Sequence, residues 1–276
     1  MADYVEQAMQ DMVHELDDLR RKKIFNEEEL RIIVKRRRDF EYALQKTPSK
    51  RVDYLNYIRY EVALECLRKR RSKALHWRSK SMSDYAGVRR LHSVFDRGVK
   101  KFKGDLRFWY QYIDFCLRSG STKVMSRVLI RALKFHPREV RLWLLAADRE
   151  LKCGNIKAAR TLLLRGLRFA PLSPKLWGEF LRLESRVACH MFASRHTGRE
   201  AELPGVDKST SSNVLPTENA FAPARLLLCR ALGRLDTNPK ACAVFLATAT
   251  TLVEQAYAVA PAHAGLDQWA EEVKAA

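Results

Sequence analysis

Residues 129–137 read L-I-R-A-L-K-F-H-P, and residues 163–171 read L-L-R-G-L-R-F-A-P. Arg131 and Arg165, Leu133 and Leu167, Phe135 and Phe169, and Pro137 and Pro171 are each separated by the same interval, thirty-four positions. Working outward, Trp109, Trp143 and Trp177 keep that interval, followed three positions later by Tyr112, Ala146 and Phe180. The blocks L-H-S-V-F-D-R-G-V (91–99), M-S-R-V-L-I-R-A-L (125–133) and A-R-T-L-L-L-R-G-L (159–167) take the same step, with small residues Gly98, Ala132 and Gly166 in register. Apolar residues recur at three and four rather than two, which is helical spacing. A fixed period in the thirties carried by two helices predicts an all-α solenoid of helical hairpins, each burying its apolar face against its neighbours.

Two further units are interrupted. D-Y-L-N-Y-I-R-Y-E (53–61) sets Tyr54 and Tyr57 in the places of Trp109 and Tyr112 but more than one period upstream, and the excess falls in a basic insertion at 67–87. A-R-L-L-L-C-R-A-L (224–232) follows its counterpart at 159–167 by nearly two periods; the excess at 193–220 is polar, rich in Ser and Thr and broken by Gly and Pro, the composition of a disordered loop. Residues 3–22 have the spacing of one amphipathic helix. Asn26 with Glu29 is a capping box, and Phe25 with Leu30 a hydrophobic staple, for a helix over about 27–45. A third helix starts near Arg51. The expected organisation is thus an N-terminal helical element over 1–50, repeats over 51–235 and a helical segment over 236–276.

Lys and Arg total 51 against 32 Asp and Glu, a formal charge of +19. The excess is concentrated at 51–200, with 34 basic and 13 acidic residues, whereas 1–50 is balanced at 11 of each. Such a middle suits polyanionic or strongly acidic partners. Six Cys never closer than 13 positions fit neither CxxC zinc spacing nor a disulfide scaffold, and read as small buried apolar residues of a reducing compartment. The acidic start is not a secretory signal, and no uncharged apolar run reaches membrane-span length, so a soluble, intracellular protein is expected.

Within the repeats, Trp109, Trp143 and Trp177 could stack bases, but a face repeated in every unit is foremost a packing face, with Tyr54, Tyr57, Tyr112 and Phe180 in the same core. Arg97, Arg131 and Arg165 could line up phosphates; in-register charges of hairpins more often meet carboxylates. The nucleic-acid candidates are two basic runs: Lys35, Arg36, Arg37 and Arg38, and Arg68, Lys69, Arg70 and Arg71 with Lys73. Four successive helical residues sweep about 400°, so part of each run must face solvent. The second run could equally be a solvated helix or a nuclear-import signal. The seven His and six Cys form no H-E-x-x-H or H-x-E with CxxC, and no phosphate-loop, dinucleotide or nucleophile-elbow motif occurs. No catalytic, cofactor or metal residue is assigned, and no enzyme is expected.

A first helix of W-x-x-Y/F-x-x-x-E and a second of A-R-x-x-x-x-R-A-L resemble the half-a-tetratricopeptide repeat over about residues 51–235, although Ala146 and Cys116 replace the usual aromatic and acid. Glu15 to Tyr42 carry E-L-x-x-L, a turn with Phe25, E-E-L and K-R-R-x-D-F-E-Y. In that order they resemble the N-terminal region of the U3 small nucleolar RNA-associated protein six family. The resemblance implies a non-catalytic scaffold of the small-subunit processome in 18S pre-ribosomal RNA processing, in the nucleolus. Its implied partners are processome proteins and U3 small nucleolar RNA or pre-ribosomal RNA, contacted directly or indirectly, with no cofactor, membrane or small-molecule substrate. Family members are longer, so the resemblance leads to the expectation that a C-terminal solenoid is absent or replaced after about residue 235. The alternatives are a repeat scaffold of splicing or messenger-RNA 3′ processing, against which the N-terminal element argues, and a nucleic-acid-modifying enzyme, for which no catalytic cluster is found.

Overall fold

The computed structural model describes residues 2–77, 81–196, 221–236, 238–259 and 264–276. The described residues form helices and turns without strands. The helices are α1 (Ala2–Gln10), α2 (Val13–Arg21), α3 (Glu27–Gln45), α4 (Arg51–Ala74), α5 (Met82–Lys101), α6 (Leu106–Ser119), α7 (Thr122–Phe135), α8 (Val140–Lys152), α9 (Ile156–Phe169), α10 (Pro174–His196), α11 (Ala222–Leu235), α12 (Pro239–Val259) and α13 (Ala264–Ala275). They form two compact units, Met1–Thr122 and Lys123–Ala276. The expected loop at 193–220 lies outside the described residues from 197 onward.

In the first unit α1 packs on α3, α3 on α4, α4 on α5, α2 on α5 and α5 on α6. The capping box forms as read, Asn26 N donating to Glu29 Oε2 at 3.0 Å, and Phe25 and Leu30 share one buried cluster with Leu19, Ile24 and Ile33. The single helix expected over 3–22 is instead two, broken at Asp11–Met12. The bend carries Met12 inward, where its sulfur lies 3.9 Å from Arg37 Nη1. The insertion at 67–87 is mostly helix. It lengthens α4 to 24 residues and α5 to 20, against 14 in α6, so the extra turns project from the α4–α5 hairpin.

In the second unit α8 pairs with α9 and α10, and α10 with α9, α11 and α12, while α13 lies on α11 and α12. The repeat Trp residues are buried in both units. Each indole also explains the chain preceding it. Trp109 Nε1 donates to Lys103 O at 2.9 Å, Trp143 Nε1 to Pro137 O at 2.8 Å and Trp177 Nε1 to Pro171 O at 2.8 Å, six residues back each time. A buried indole N–H must find an acceptor. For Trp143 and Trp177 the acceptor is the carbonyl of a proline that follows the preceding helix. A Cβ on Gly98 would stand 2.4 Å from the Phe108 ring, and one on Gly166 would stand 3.0 Å from Trp143, so these glycines set the closest approach of paired helices.

Some expectations are corrected. Only Cys116 is buried, its thiol pushed by burial up to about 12; Cys66, Cys153 and Cys229 are exposed and all six are free. Among the described helices α12 is long and apolar enough by composition to cross a membrane, with mean hydropathy 1.3 over its best window, although the run is interrupted by Thr and bounded by Lys240 and Glu254. It packs within its unit through one face, Phe245, Ala249, Leu252 and Ala256.

Candidate nucleic-acid interface

A basic run on a helix wraps around it, so some members must turn inward. On α3 it is Arg37. Its side chain is 2% exposed, its Nε donates to Glu61 Oε1 at 2.7 Å, and its Nη2 donates to Glu61 Oε2 at 3.0 Å and Glu15 Oε1 at 3.3 Å. Arg90 of α5 closes the cluster, donating to Glu15 and standing 3.5 Å from Glu61. Burial opposes charge on Arg37 and Glu15, yet the opposite charges prevail. Glu61 and Glu15 raise Arg37 above the usual guanidinium value against its own desolvation, and Arg37 and Arg90 hold Glu15 below the usual carboxylate range against the same penalty. One core cluster thereby joins α2, α3, α4 and α5.

On α4 the inward members are Arg68 and Arg71. Arg68 is buried and makes two 2.8 Å bonds to the Glu65 carboxylate plus one to Asp84 at the start of α5. Arg71 donates to Glu29 at 2.7 and 2.8 Å and to Ile24 O at 3.1 Å, with its guanidinium 5.0 Å over the Phe25 ring. That bidentate bond holds the Glu29 carboxyl well down, at about 2. Lys22 reaches Asp84 at 3.3 Å, and Ser81 Oγ and Ser83 N donate to Asp18. The α4–α5 extension is therefore the seat on which α2 and the start of α3 dock, rather than a segment outside the packed body.

Arg37, Arg68 and Arg71 are accordingly removed from the nucleic-acid candidates, because a guanidinium that already serves two carboxylate oxygens has no fork left for phosphate. Lys35, Arg36, Arg38, Lys69, Arg70 and Lys73 stay at least partly open to solvent. Arg36 lies 5.9 Å over the Tyr60 ring, and Lys69 is 3.6 Å from Glu65. Of the repeat arginines, Arg97 makes the carboxylate pair expected of it, donating to Glu41 at 2.8 and 2.9 Å.

The inward turn of Arg37 had a signal in the sequence. Arg37 and Glu61 are 24 residues apart, and so are Arg160 and Glu184, which pair at 2.6 and 2.7 Å in the second unit. Phe40 stacks on Tyr57 at 5.0 Å as Phe95 stacks on Tyr112 at 4.8 Å, and the step from Phe40 to Phe95 equals the step from Tyr54 to Trp109. R-R-R-D-F-E-Y-A-L (36–44) is thus the second-helix block of another repeat unit, with Ala43 in the small position.

Comparison with known proteins falls on this same body. The family model of U3 small nucleolar RNA-associated protein 6 matches residues 9–90, which include all four members of the Arg37 cluster. A Schizosaccharomyces pombe protein named U3 small nucleolar RNA-associated protein 6 is 40% identical over 138 residues, 50% of this chain and 28% of that protein. The Mus musculus and Homo sapiens homologues of that name are 33% and 30% identical over 137 residues, 49% of this chain and 23% of each relative. The matched stretch thus spans only about a quarter of each relative's length. It is over residues 9–90, which fold from the end of α1 to the middle of α5 around Arg37, that this chain is similar to the family of U3 small nucleolar RNA-associated protein 6.

Proposed function

We propose that this chain is a non-catalytic scaffold of the small-subunit processome, working in the nucleolus in 18S pre-ribosomal RNA processing. The observation that carries the reading is the family match over residues 9–90, laid on a body whose charged core fixes four helices. Helical-hairpin arrays hold partners by offering long surfaces, with each unit contributing a similar face. The relatives are named for association with U3 small nucleolar RNA, and the 34 basic against 13 acidic residues over 51–200 suit a position beside ribosomal RNA. Direct RNA contact, where made, falls to the accessible cations Lys35, Arg36, Arg38, Lys69, Arg70 and Lys73. Such contacts take phosphate and position the RNA without reading its sequence.

The test is affinity purification of the tagged chain from nuclear extract, with sequencing of bound RNA and mass spectrometry of bound proteins. U3 small nucleolar RNA, pre-ribosomal RNA and processome proteins are the expected recovery. Spliceosomal or messenger-RNA cleavage factors in their place would overturn it in favour of the other assemblies that use such repeats.

A further inference from the structure

The outer end of the α4–α5 hairpin carries exposed apolar side chains that neither packing nor the repeat period requires. Leu75 is 48% exposed, Trp77 46%, Met82 50% and Tyr85 56%, four large apolar side chains where two antiparallel helices end and begin. Trp77 is held there by a formed cap. Leu75 N donates to Arg71 O at 2.9 Å, His76 N to Lys73 O at 3.2 Å and Trp77 N to Ser72 O at 3.2 Å, the bonding of a Schellman motif with His76 in the left-handed region at φ 55°. That position favours glycine, and a side-chain-bearing residue there is strained. The apolar contact that usually completes such a cap would set Trp77 against Ser72 or Arg71. Ser72 has no apolar surface of that kind and Arg71 is engaged with Glu29, so the indole stays half exposed on an ordered backbone.

The charges around it are one-sided. Residues 69–77 contain no acid, and Lys69, Arg70 and Lys73 are accessible. The carboxylates near this end are engaged within the fold, Asp84 by Lys22, Arg68 and the Ser81 N–H, Asp18 by Ser81 and Ser83, Glu29 by Arg71 and Glu65 by Arg68. We infer that this hairpin tip is a platform for single-stranded RNA, with Trp77 and Tyr85 stacking on unpaired bases and Arg70 and Lys73 taking flanking phosphates. Flat apolar faces beside uncompensated cations match a ligand that alternates planar rings with anions. A duplex offers the anions but keeps its rings stacked, so it is the poorer ligand. The assignment rests on the reading that this protein works beside RNA, and names the surface and the RNA form.

The test is fluorescence anisotropy of a labelled uridine dodecamer, and of a blunt duplex of equal length, with the full chain. The single strand should bind more tightly than the duplex. Trp77→Ala with Tyr85→Ala should weaken single-strand binding by about 10-fold or more, with little change in salt dependence, and Trp77→Phe with Tyr85→Phe should restore most of it. Arg70→Gln with Lys73→Gln should instead lower the log–log salt slope by about 1.4. These side chains lie at the surface, so circular dichroism should match the parent in every variant. Unchanged affinity in the alanine pair, or equal affinity for duplex and single strand, overturns the platform. An alanine pair that binds the uridine strand normally but loses a co-purifying protein assigns the tip to protein docking and also overturns it. Absence of U3 RNA and processome proteins from the parent chain's purification is a separate outcome that sinks only the broader reading.

Discussion

Arg37→Met separates a structural arginine from an RNA-binding one. Arg37 spends three of its donor bonds on Glu61 and Glu15, and the side chains of all three residues are at most 4% exposed. Methionine keeps much of the apolar stem but leaves Glu61 and Glu15 with Arg90 alone. Deleting one partner of a buried ion pair costs about 3–5 kcal/mol, because the other charge stays behind without its compensation. Arg90 already donates to Glu15 and lies 3.5 Å from Glu61, so the lower end, about 3 kcal/mol, is expected. For a cooperative unit of this size that is a fall of roughly 10 °C in melting temperature. Urea and thermal denaturation of the full chain, followed by near-ultraviolet and far-ultraviolet circular dichroism, give the number. A second variant, Arg37→Met with Glu61→Leu, removes both members of the main pair and should recover much of the loss. Below its melting temperature Arg37→Met should keep the parent's RNA affinity. A melting temperature within about 2 °C of the parent, or lost RNA affinity in a variant of full stability, would refute the argument.

Gly98→Ala should destabilise by about 1–3 kcal/mol by driving a methyl into Phe108, whereas Gly233→Ala, on an open face of α11, should be neutral or stabilise by about 0.5–1 kcal/mol; paired urea titrations check both. Trp143→Ala should cost about 3–5 kcal/mol and Trp143→Phe less, since the phenyl ring refills much of the site and forfeits the bond to Pro137 O, worth about 1 kcal/mol; an unchanged melt in the alanine variant would mean that this Trp is not core. The carboxyls of Glu15, Glu29, Asp18 and Asp84 are all depressed in the folded chain, so their contribution is fully present above the ordinary carboxylate range and is lost as pH falls from 4.5 towards the Glu29 value of about 2. An acid titration by near-ultraviolet dichroism should show tertiary signal falling in that window, and Glu29→Gln should alter it only slightly, because the Arg71–Glu29 pair is about a third exposed.

Much of this was legible because its causes are local. The α3 start depends on Asn26, Glu29 and their neighbours within one turn, and the repeat Trp residues announce themselves by interval alone. Facing is a different kind of information. Nothing within R-R-R-D says which arginine turns inward; that is decided by Glu61 and Glu15, 24 and 22 residues away. The same spacing between Arg160 and Glu184 could have revealed it, had the block at 36–44 been aligned with the second-helix blocks. The bend at Asp11–Met12 carries no Gly or Pro and answers to Arg37, so it had no local signal. The exposed tip was masked by its setting: Trp77 and Tyr85 lie in a charged stretch read for its cations.

The distribution of indoles gives this protein its own optical probe. Trp109, Trp143, Trp177 and Trp269 are buried, and Trp77 alone of the five is substantially exposed. A buried indole in an apolar site emits to the blue and is shielded from a dissolved quencher, while an exposed one emits to the red and is quenched on collision. Acrylamide titration of the native chain should therefore resolve a small accessible fraction belonging to Trp77 from a large protected one. Anything that settles on the hairpin tip would shrink the accessible fraction and spare the blue emission, whereas unfolding would merge the two. Occupancy of one surface and integrity of the fold can thus be followed separately in a single cuvette, without attaching a label.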